Sequence, residues 1–344
     1  MDIKLANESD SKEWDLIVEN SPHGTIFHTW KWLKIVEKHT KTKLYPLIGL
    51  KGEEPIGIFP LFYYKKLFIK MVFSPPIKAL LLYLGPIVVG HDKLKPSKVE
   101  SNFIEFQKKV DEFIKLQFRA NVIRIRTSPN LLDSRPFKWS GYEVEPLYTY
   151  MVDLDKGAEY VWKQQFDKQL RKNINKTISE GVSVDEGSKK DLDFLCSSLT
   201  RRFNEQSFKT SGFHEDYLSE IYDSFHATNL KIFVAEYNGE NIGGVTLLYY
   251  KNKASLWVGT PKISLKGIYP NDLVVWESIK WACDNGFTKY EIMDSGSNPR
   301  LQQFKSKFNL NLSIWFSATK YSPSVLEALE KNLIFIYNKF RLTI

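Results

Sequence analysis

Cysteine is scarce in the 344-residue chain, which contains only Cys196 and Cys283. Two cysteines so far apart form no disulfide framework and none of the short Cys-x-x-Cys spacings of a structural zinc site. The scarcity therefore excludes the disulfide-rich class of small domains and fits a reducing compartment.

Long uncharged apolar runs are also absent. The most apolar region, 67–90, is interrupted by Lys70, Pro75, Pro76 and Lys78. A membrane-spanning helix needs about 20 apolar residues, so we interpret this region as two buried strands around a Ser-Pro-Pro turn. The polar opening MDIKLANESDSKEW lacks a signal-peptide pattern. We expect a cytoplasmic protein with no transmembrane segment, and leave open a peripheral position at the inner membrane face.

Familiar catalytic motifs are missing as well. The chain has no Gly-x-Ser-x-Gly nucleophile elbow, no His-Glu-x-x-His pair and no Cys-x-x-Cys. These absences count against serine hydrolases, zinc proteases and dithiol chemistry. The six histidines are scattered, and we expect surface or capping roles for them and no metal site.

The chain carries an excess of positive charge, with 48 Lys and Arg against 40 Asp and Glu, for a formal net charge of +8. Such an excess favours a polyanionic partner, such as nucleic acid, a nucleotide-linked substrate or an anionic membrane surface. An ordinary lysine-rich soluble protein explains the same number.

One stretch of sequence occurs twice. IGIFPLFYYKK at 56–66 and IGGVTLLYYKN at 242–252 share an Ile-Gly opening and a Tyr-Tyr-Lys ending. Each follows an apolar strand and a Gly-containing turn, which is a hairpin signature. Two unrelated hairpins would look similar, but the matched positions favour one fold present twice.

The surroundings of the two hairpins match too. Each half reads as helix, hairpin, strand, helix, strand. The last three elements are predicted near 81–90, at 98–117 and at 121–127 in the first half, and at 254–259, 271–285 and 288–294 in the second. Pro270 and Asn271 open the second of these helices, and Asn271 is its expected N-cap. This order predicts an α/β (α+β) unit with a mixed, mostly antiparallel sheet flanked by helices. We predict a first domain at 1–148, completed by a C-terminal helix at 322–344, and a second at 149–321 that carries the catalytic cleft.

Several phrases together resemble the FemAB-like branch of the acetyltransferase-fold (GNAT) superfamily, which includes peptidoglycan-bridge aminoacyltransferases and acyltransferase relatives. They are SPHGTIFHTWKWLK, DKQLRKNINKTISEGVSV, IFVAEYNGENIGGVTLLY, IYPNDLVVWESIKWACDNGFTKYEIMDSGS and LQQFKSKFN. The resemblance covers most of the chain and implies tandem GNAT-like domains. The short helices at 186–230 make the armless type, which adds single amino acids, the closer likeness.

The resemblance implies transfer of an aminoacyl group from charged tRNA to an amine of a cell-envelope precursor, nucleotide- or lipid-linked, with no cofactor. The first alternative is a CoA- or carrier-dependent N-acyltransferase of exopolysaccharide or lipid metabolism, with acyl-CoA as donor. The second is a non-catalytic module that binds tRNA or a nucleotide-sugar.

Two departures from the family patterns bear on the donor and the base. The loop 260–272 has a single glycine, and Pro270 has no N–H, so it lacks the Gly-rich loop whose amides hold a pyrophosphate. This argues against ordinary CoA binding. Where some relatives end the first-half strand with an acid, this chain has RIRTSPN, so the proton-handling group lies elsewhere or the acceptor differs.

The resemblance implies a catalytic group near 294–305. Lys305, after Phe304, would place a cation close to the developing oxyanion, although a solvated helix lysine is the simpler interpretation from the residues alone. Asp294, at a strand end, would orient the amine or accept its proton, or only cap a turn.

Predicted substrate-binding residues lie in both halves. Lys34, four residues after Trp30, matches a position where the family binds acceptor phosphates, although it also fits the polar face of a helix. Tyr269 and Asn271 are expected to line the cleft of the second half. Lys209, with Arg201 and Arg202, is a candidate contact for an acidic peptide.

The stretch 158–180 predicts an amphipathic helix, with Trp162, Phe166, Leu170, Ile174 and Ile178 every four residues. Lysines and Arg171 occupy the remaining positions. This face would hold tRNA phosphates or a nucleotide diphosphate, with Arg171 as the bidentate contact. An exposed amphipathic helix with no ligand fits the pattern equally well. The C-terminal stretch 322–344 is predicted to be a helix that packs on the first half or lies on a membrane.

Overall fold

The protein is described by a computed structural model that covers residues 1–90, 94–205, 215–260, 265–293 and 299–323, without the side chains of 201–205 and 300. Two compact units are present. The first comprises Met1–Tyr148 and the described residues from Ile314 onward, and the second comprises Thr149–Ser313. Among the described residues, no helix combines the length and the apolar character needed to cross a membrane.

The elements follow one another along the chain in a mixed order of helices and strands. The first part forms β1 (Asp2–Leu5), α1 (Ser11–Asn20), α2 (Trp30–Thr40), β2 (Lys43–Lys51), β3 (Glu54–Lys66), β4 (Ile69–Ser74), β5 (Ile87–Val88), α3 (Pro96–Gln117), β6 (Val122–Arg126) and α4 (Arg135–Trp139). The remainder forms β7 (Glu143–Asp153), α5 (Gly157–Tyr160), α6 (Lys168–Ser179), β8 (Ser183–Glu186), α7 (Lys189–Glu205), α8 (Glu215–Phe225), β9 (Leu230–Tyr237), β10 (Glu240–Tyr250), β11 (Lys253–Gly259), α9 (Pro270–Asp284), β12 (Lys289–Ile292), α10 (Pro299–Ser306) and β13 (Asn311–Tyr321).

The two units have the same topology. Strand order is β1-β2-β3-β4-β6-β13 in the first unit and β8-β9-β10-β11-β12-β7 in the second. In each, the crossover helix joins a parallel pair, β4 with β6 and β11 with β12, while the other pairs described here are antiparallel. The predicted fold class, tandem units with a mixed, mostly antiparallel sheet and flanking helices, is confirmed.

The repeated Ile-Gly pair has a packing reason in both units. A Cβ on Gly57 would lie 2.7 Å from the Phe106 ring of α3, and one on Gly243 would lie 3.0 Å from Pro270 of α9. Each glycine therefore lets the crossover helix approach the second hairpin strand closely. The second hairpin closes through Asn238 and Gly239, both at positive φ, as a two-residue turn requires.

Each unit buries its own core against its crossover helix. Phe106, Val110 and Ile114 of α3 pack on the first sheet. Val275 and Ile279 of α9 pack on the second. These residues lie three to four positions apart, so each helix turns one apolar stripe toward the strands.

Some predicted boundaries are wrong. The segment 158–180 is not one helix: a π-helical turn at Val161–Gln165 ends in an extended Phe166, and Asp167 then caps α6 by accepting from the Leu170 N–H at 2.6 Å. Of the strand expected near 81–90, only Ile87–Val88 forms. Asn271 is not the N-cap of α9, because Tyr269 holds that position and Pro270 begins the helix.

The last strand belongs to a different unit from the one predicted. Residues up to 321 were assigned to the second domain, but Ile314–Tyr321 lie in the first unit. There β13 pairs antiparallel with β6, with Ala318 opposite Ile125. An alternating pattern predicts a strand but does not identify its partner. Beyond Pro323, the predicted C-terminal helix lies outside the described residues.

Candidate functional site

In the second unit, the parallel strand pair ends before β11 does. The pairing of β11 with β12 runs from Lys253–Lys289 to Leu256–Ile292, whereas β11 continues along β10 as far as Gly259. Within the described residues, the parallel pairing ends at Leu256 and Ile292, and we call this end of the pair the strand gap. Backbone N–H and C=O groups that no neighbouring strand pairs are available to a ligand.

The same place in the first unit is filled by the chain itself. Leu84 forms a parallel bridge with Thr127, and its N–H donates to the Arg126 carbonyl at 2.9 Å. The N–H of Gly85 donates to Ser74 Oγ at 3.1 Å. Because the segment before β5 takes the place of a ligand there, the second unit is the candidate for chemistry.

The loop between β11 and α9 is held by its own side chains. Asn271 donates from Nδ2 to the Thr260 carbonyl at 2.9 Å, and Thr260 Oγ1 accepts the Gly244 N–H at 3.0 Å. The Tyr269 N–H donates to Thr177 Oγ1 of α6 at 2.9 Å. The structure thus places Asn271 and Tyr269 beside the strand gap, with the Asn271 side chain holding the loop in place.

The N-terminus of α9 carries the chain's own anion. Asp272 is 3% exposed in the first turn, where a carboxylate compensates the positive end of the helix dipole. Its Oδ1 binds Lys307 Nζ at 2.6 Å, and its Oδ2 accepts from Asn173 Nδ2 of α6 at 3.2 Å. The Asp272 and Leu273 amides both donate to the Tyr269 carbonyl. These contacts leave this helix end poorly suited to a pyrophosphate.

Lys305 lies on α10 and is only 8% exposed, so it is not the solvated helix lysine that the residues alone suggested. Phe304 packs at the edge of the core, with its ring 5.5 Å from Phe308, and Lys307 Nζ lies 4.8 Å from the Phe304 ring centroid. Lys307 also binds Asp272, so the Lys305-bearing segment is joined to both α9 and α6. The catalytic roles of Lys305 and Phe304 stay predictions.

A basic groove runs along α6. It has a volume of about 700 Å³ and is lined by Trp162, Lys168, Arg171, Lys172, Asn175, Lys176 and Ser179. Within the described residues, none of its four cations forms an ion pair, and the Arg171 guanidinium donates to the Lys163 carbonyl at 3.3 Å. Lys176 extends over Gly267, where a Cβ would lie 2.6 Å from its ammonium. We call this surface the α6 groove.

The remaining predicted positions divide between the first unit and the segments outside the description. Trp30 is buried, and its indole N–H donates to Glu8 Oε2 at 3.0 Å. Lys34 forms an exposed ion pair with Glu37 at 2.5 Å. Asp294 and Lys209 lie outside the described residues, as do the side chains of Arg201 and Arg202.

Sequence reasoning overlooked a buried carboxylate beside the gap. Glu291 of β12 is fully buried and binds Lys253 at 2.7 Å, Thr149 Oγ1 at 2.9 Å and Ser255 Oγ at 3.2 Å. It lies one residue before the end of the strand pair, so this network fixes the strands where they begin to part. An acid inside the apolar phrase YEIM was the available signal, because buried acids are rare unless they are paired.

The cysteines are unsuited to nucleophilic roles. Burial raises the pKa of Cys196 and of Cys283 to about 11 each. A thiol with so high a pKa holds little thiolate at neutral pH, and the thiolate is the nucleophile. Among the described residues, no cluster of three His, Cys, Asp or Glu side chains is arranged to hold a metal ion.

Comparisons with known proteins locate the fold. Residues 164–306, which lie within the second unit, match the family model described as Acetyltransferase (GNAT) domain. No curated protein sequence matches the chain significantly.

Three solved structures are similar along nearly the whole chain. FemX superposes with a TM-score of 0.71 at 14% identity, over 96% of this chain and 99% of FemX. A C-terminal domain assigned to a lysylphosphatidylglycerol synthetase from Agrobacterium fabrum gives 0.55 at 13%, over 94% and 96%. A tandem GNAT protein from the clavulanic acid biosynthesis pathway gives 0.56 at 8%, over 93% and 98%. These superpositions confirm the tandem GNAT fold inferred from the sequence.

Proposed function

We propose that this protein transfers an aminoacyl group from charged tRNA to an amine of a cell-envelope precursor. The amine nitrogen attacks the ester carbonyl, and an amide bond forms. The carbon–oxygen bond to the tRNA ribose breaks, and the proton lost by the nitrogen passes to the leaving ribose oxygen. Because the ester is already activated, the reaction needs positioning and charge stabilisation but no enzyme nucleophile. The high pKa of both thiols agrees with such a mechanism.

The proposal rests on three connected features of the second unit, which are Asp272 at the N-terminus of α9, the α6 groove and Lys305 of α10. Asp272 joins the N-terminus of α9 to Asn173 on α6 and to Lys307 beyond α10. The α6 groove offers cations to a polyphosphate, while Lys305 lies buried on the helix that Lys307 secures. A polyanionic donor held along α6 would thus be near a cation suited to a developing oxyanion.

The contacts already made at the N-terminus of α9 favour tRNA over CoA as the acyl donor. Pro270 has no N–H to offer, two amides of the first turn already bind Tyr269, and the Asp272 carboxylate occupies the first turn. A CoA pyrophosphate at this helix end would face a buried negative charge. The α6 groove, with four cations and the half-buried Trp162, suits a ribose-phosphate chain with an exposed base better.

The fold relatives support an acceptor in the cell envelope. FemX and a domain assigned to a lysylphosphatidylglycerol synthetase share the fold, and the second name describes a phospholipid that carries an aminoacyl group. That lipid offers hydroxyls and no amine, so the name supports aminoacyl transfer to an envelope molecule, and the amine is our own choice of acceptor group. Neutral amines of peptidoglycan or lipid precursors are the acceptor class that we propose. Predicted acceptor contacts are Lys34 and Trp30 in the first unit and Lys209, with Asp294 as the group that orients the amine.

A comparison of acyl donors tests the proposal. The protein is incubated with a panel of charged tRNAs, with acetyl-CoA and with longer acyl-CoAs, each against envelope-type amines. We expect amide formation from charged tRNA and none from CoA esters. Lys305→Ala should lower kcat by about 10²–10³-fold, as removal of one oxyanion donor does, and Lys305→Arg should restore part of it.

The matched control is Lys280→Ala, which removes an exposed lysine paired with Glu277 on α9 and should leave kcat unchanged. Transfer from acyl-CoA but not from tRNA would favour the N-acyltransferase alternative. Binding of tRNA without any transfer, unaffected by Lys305→Ala, would favour a non-catalytic binding module.

A further inference from the structure

The first unit carries an exposed apolar hairpin tip. Leu67 and Phe68, at the turn between β3 and β4, are 79% and 83% exposed. Single exposed apolar side chains are common on soluble proteins, but two adjacent large ones at the end of a hairpin are unusual. Leu67 adopts φ = 54°, and so does Lys251 in the turn between β10 and β11 of the second unit, because a two-residue hairpin turn requires a positive φ. This turn geometry does not require an apolar side chain at Leu67.

The internal repeat provides a direct comparison. In the second unit the matching turn, between β10 and β11, is Lys251-Asn252, which is polar. There the pairing ends at Tyr250 opposite Lys253, whereas in the first unit it continues past the equivalent Tyr64 to Lys66 opposite Ile69. The first hairpin is therefore two residue pairs longer than its copy. The extension adds an apolar, lysine-flanked tip to a common fold.

The extended hairpin projects beyond its neighbours. β2 begins at Lys43, opposite Tyr63, and β6 begins at Val122, opposite Met71. Residues 64–70 thus extend past the strands on both sides, by about 3.3 Å for each residue.

A second exposed segment lies at the same end of the sheet as the hairpin turn. The connection from α3 to β6 lies beside the hairpin, because the Asn121 N–H donates to the Lys70 carbonyl at 2.8 Å and Asn121 Oδ1 accepts the Lys70 N–H at 2.9 Å. Leu116, in the last turn of α3, is 82% exposed. Three large apolar side chains are therefore exposed at one end of the first unit.

The base of this projection is rigid. Phe118, which follows α3, is 4% exposed and stacks on Tyr63 of β3 at 4.9 Å between centroids. It also meets Tyr45 edge-on at 4.7 Å and Phe113 at 5.8 Å. The base of the hairpin and the α3 terminus are thus fixed to each other.

The charged residues within the two segments are all cations. The two segments contribute Lys65, Lys66, Lys70, Lys115 and Arg119. No acid occurs between Glu54 and Asp92 or between Glu112 and Asp133. Within the described residues, none of the five cations is in an ion pair, whereas Lys109 on α3 pairs with Glu112. An apolar tip surrounded by unopposed cations is complementary to an anionic lipid surface.

We propose that 64–70 and 115–119 form a membrane-docking tip that binds the headgroup region of anionic bilayers. Leu67, Phe68 and Leu116 enter the boundary between headgroups and acyl chains, while the lysines remain at the phosphates. This mode needs no spanning helix and does not depend on the reaction proposed for the second unit.

Vesicle binding of the full chain tests the proposal. We expect binding to phosphatidylcholine vesicles containing about 30% phosphatidylglycerol, weakened by salt, and at least about tenfold weaker binding to pure phosphatidylcholine. Leu67→Gly with Phe68→Ser should keep the fold, because glycine suits the positive φ, and should weaken binding at least about tenfold by removing two inserted side chains. Lys65→Gln with Lys66→Gln should weaken it by about fivefold per lysine.

The matched control is Leu16→Ser, which removes a 62% exposed leucine on α1 and should leave vesicle binding unchanged. The unfolding midpoint of each variant is measured alongside, and wild-type values are expected. The proposal is overturned if the wild type ignores anionic vesicles, if the Leu67–Phe68 variant binds normally, or if Leu16→Ser weakens binding equally. Concentration-dependent dimers that the Leu67–Phe68 variant abolishes, without vesicle binding, would reassign the tip to self-association.

Discussion

At the scale of single residues, Asp272 is a buried charge that also connects segments of the second unit. Its carboxylate is buried at a helix N-terminus and receives a hydrogen bond from Asn173 and an ion pair from Lys307. Three helical segments of the second unit are joined at this side chain. A buried carboxylate is tolerated only because each of its oxygens has a partner.

We therefore expect Asp272→Asn to destabilise the protein. The substitution leaves the Lys307 ammonium without its anion and weakens the helix-dipole interaction. The expected loss is about 1–3 kcal/mol in the free energy of unfolding, below the 3–5 kcal/mol of fully buried pairs because Lys307 remains partly solvated. Urea titration measures it. Glu277→Gln, which breaks the exposed pair with Lys280, is the control and should change stability by less than about 1 kcal/mol. Equal losses in both variants would contradict the structural role of Asp272.

The burial and contacts of a residue can be predicted from the sequence only when its contact partners are close in the chain. Lys305 is buried because of the position of α10 in the folded unit, and no local sequence pattern predicts that position. Trp30 was predicted to bind substrate, and the structure buries it with Glu8 as partner of its indole N–H; that pairing spans 22 residues. The functional roles of Trp30, Lys34 and Lys305 remain predictions, since a side chain's contacts in the folded chain do not identify its ligand.

At the scale of elements, α6 divides into two faces with different tasks. Leu170, Ile174 and Thr177 face inward and are buried. The outward face contains four cations and no acid between Lys168 and Ser179. The four-residue apolar spacing predicted this helix correctly from 168 onward. It could not predict the break at Phe166, because an apolar stripe continues across an irregular turn if the side chains still point inward.

The outward face of α6 should make tRNA binding strongly dependent on salt. Each phosphate neutralised contributes about 0.7–0.9 to the slope of log Kobs against log salt concentration. Replacing Lys168, Lys172 and Lys176 with glutamine should therefore reduce the slope by about 2, measured by filter binding across a salt series. Lys163→Gln removes a nearby lysine that pairs with Glu159 instead and should leave the slope unchanged. A slope that the triple variant does not alter would exclude the α6 groove as a phosphate site.

At the scale of the whole molecule, duplication explains the order of strands but not their assignment to units. The sequence repeat predicted two copies of one topology, and both copies are present. The first unit nonetheless takes its last strand, β13, from residues assigned to the second domain, whereas Thr149–Asp153 of β7 lie in the second unit. Strands of the first and second units have similar sequences, because the alternation of apolar and polar residues reflects burial and does not identify the neighbouring strand.

This strand assignment predicts that the two units differ in independence. A fragment of residues 143–313 contains β7 through β12 and the whole second core, so we expect a single cooperative urea transition monitored by tryptophan fluorescence. A fragment of residues 1–142 lacks β13 and exposes the edge of β6, including the Thr127 N–H that donates to the Phe316 carbonyl at 2.9 Å. An unpaired edge of this kind promotes aggregation.

We therefore expect the 1–142 fragment to aggregate or to unfold without cooperativity. Addition of a 311–344 fragment should restore a cooperative transition, because it resupplies the strand that pairs with β6. Cooperative folding of 1–142 alone would show that β13 is dispensable to the first unit. Failure of 143–313 to fold would show that the second unit depends on the first, and either result would require a different division of the chain.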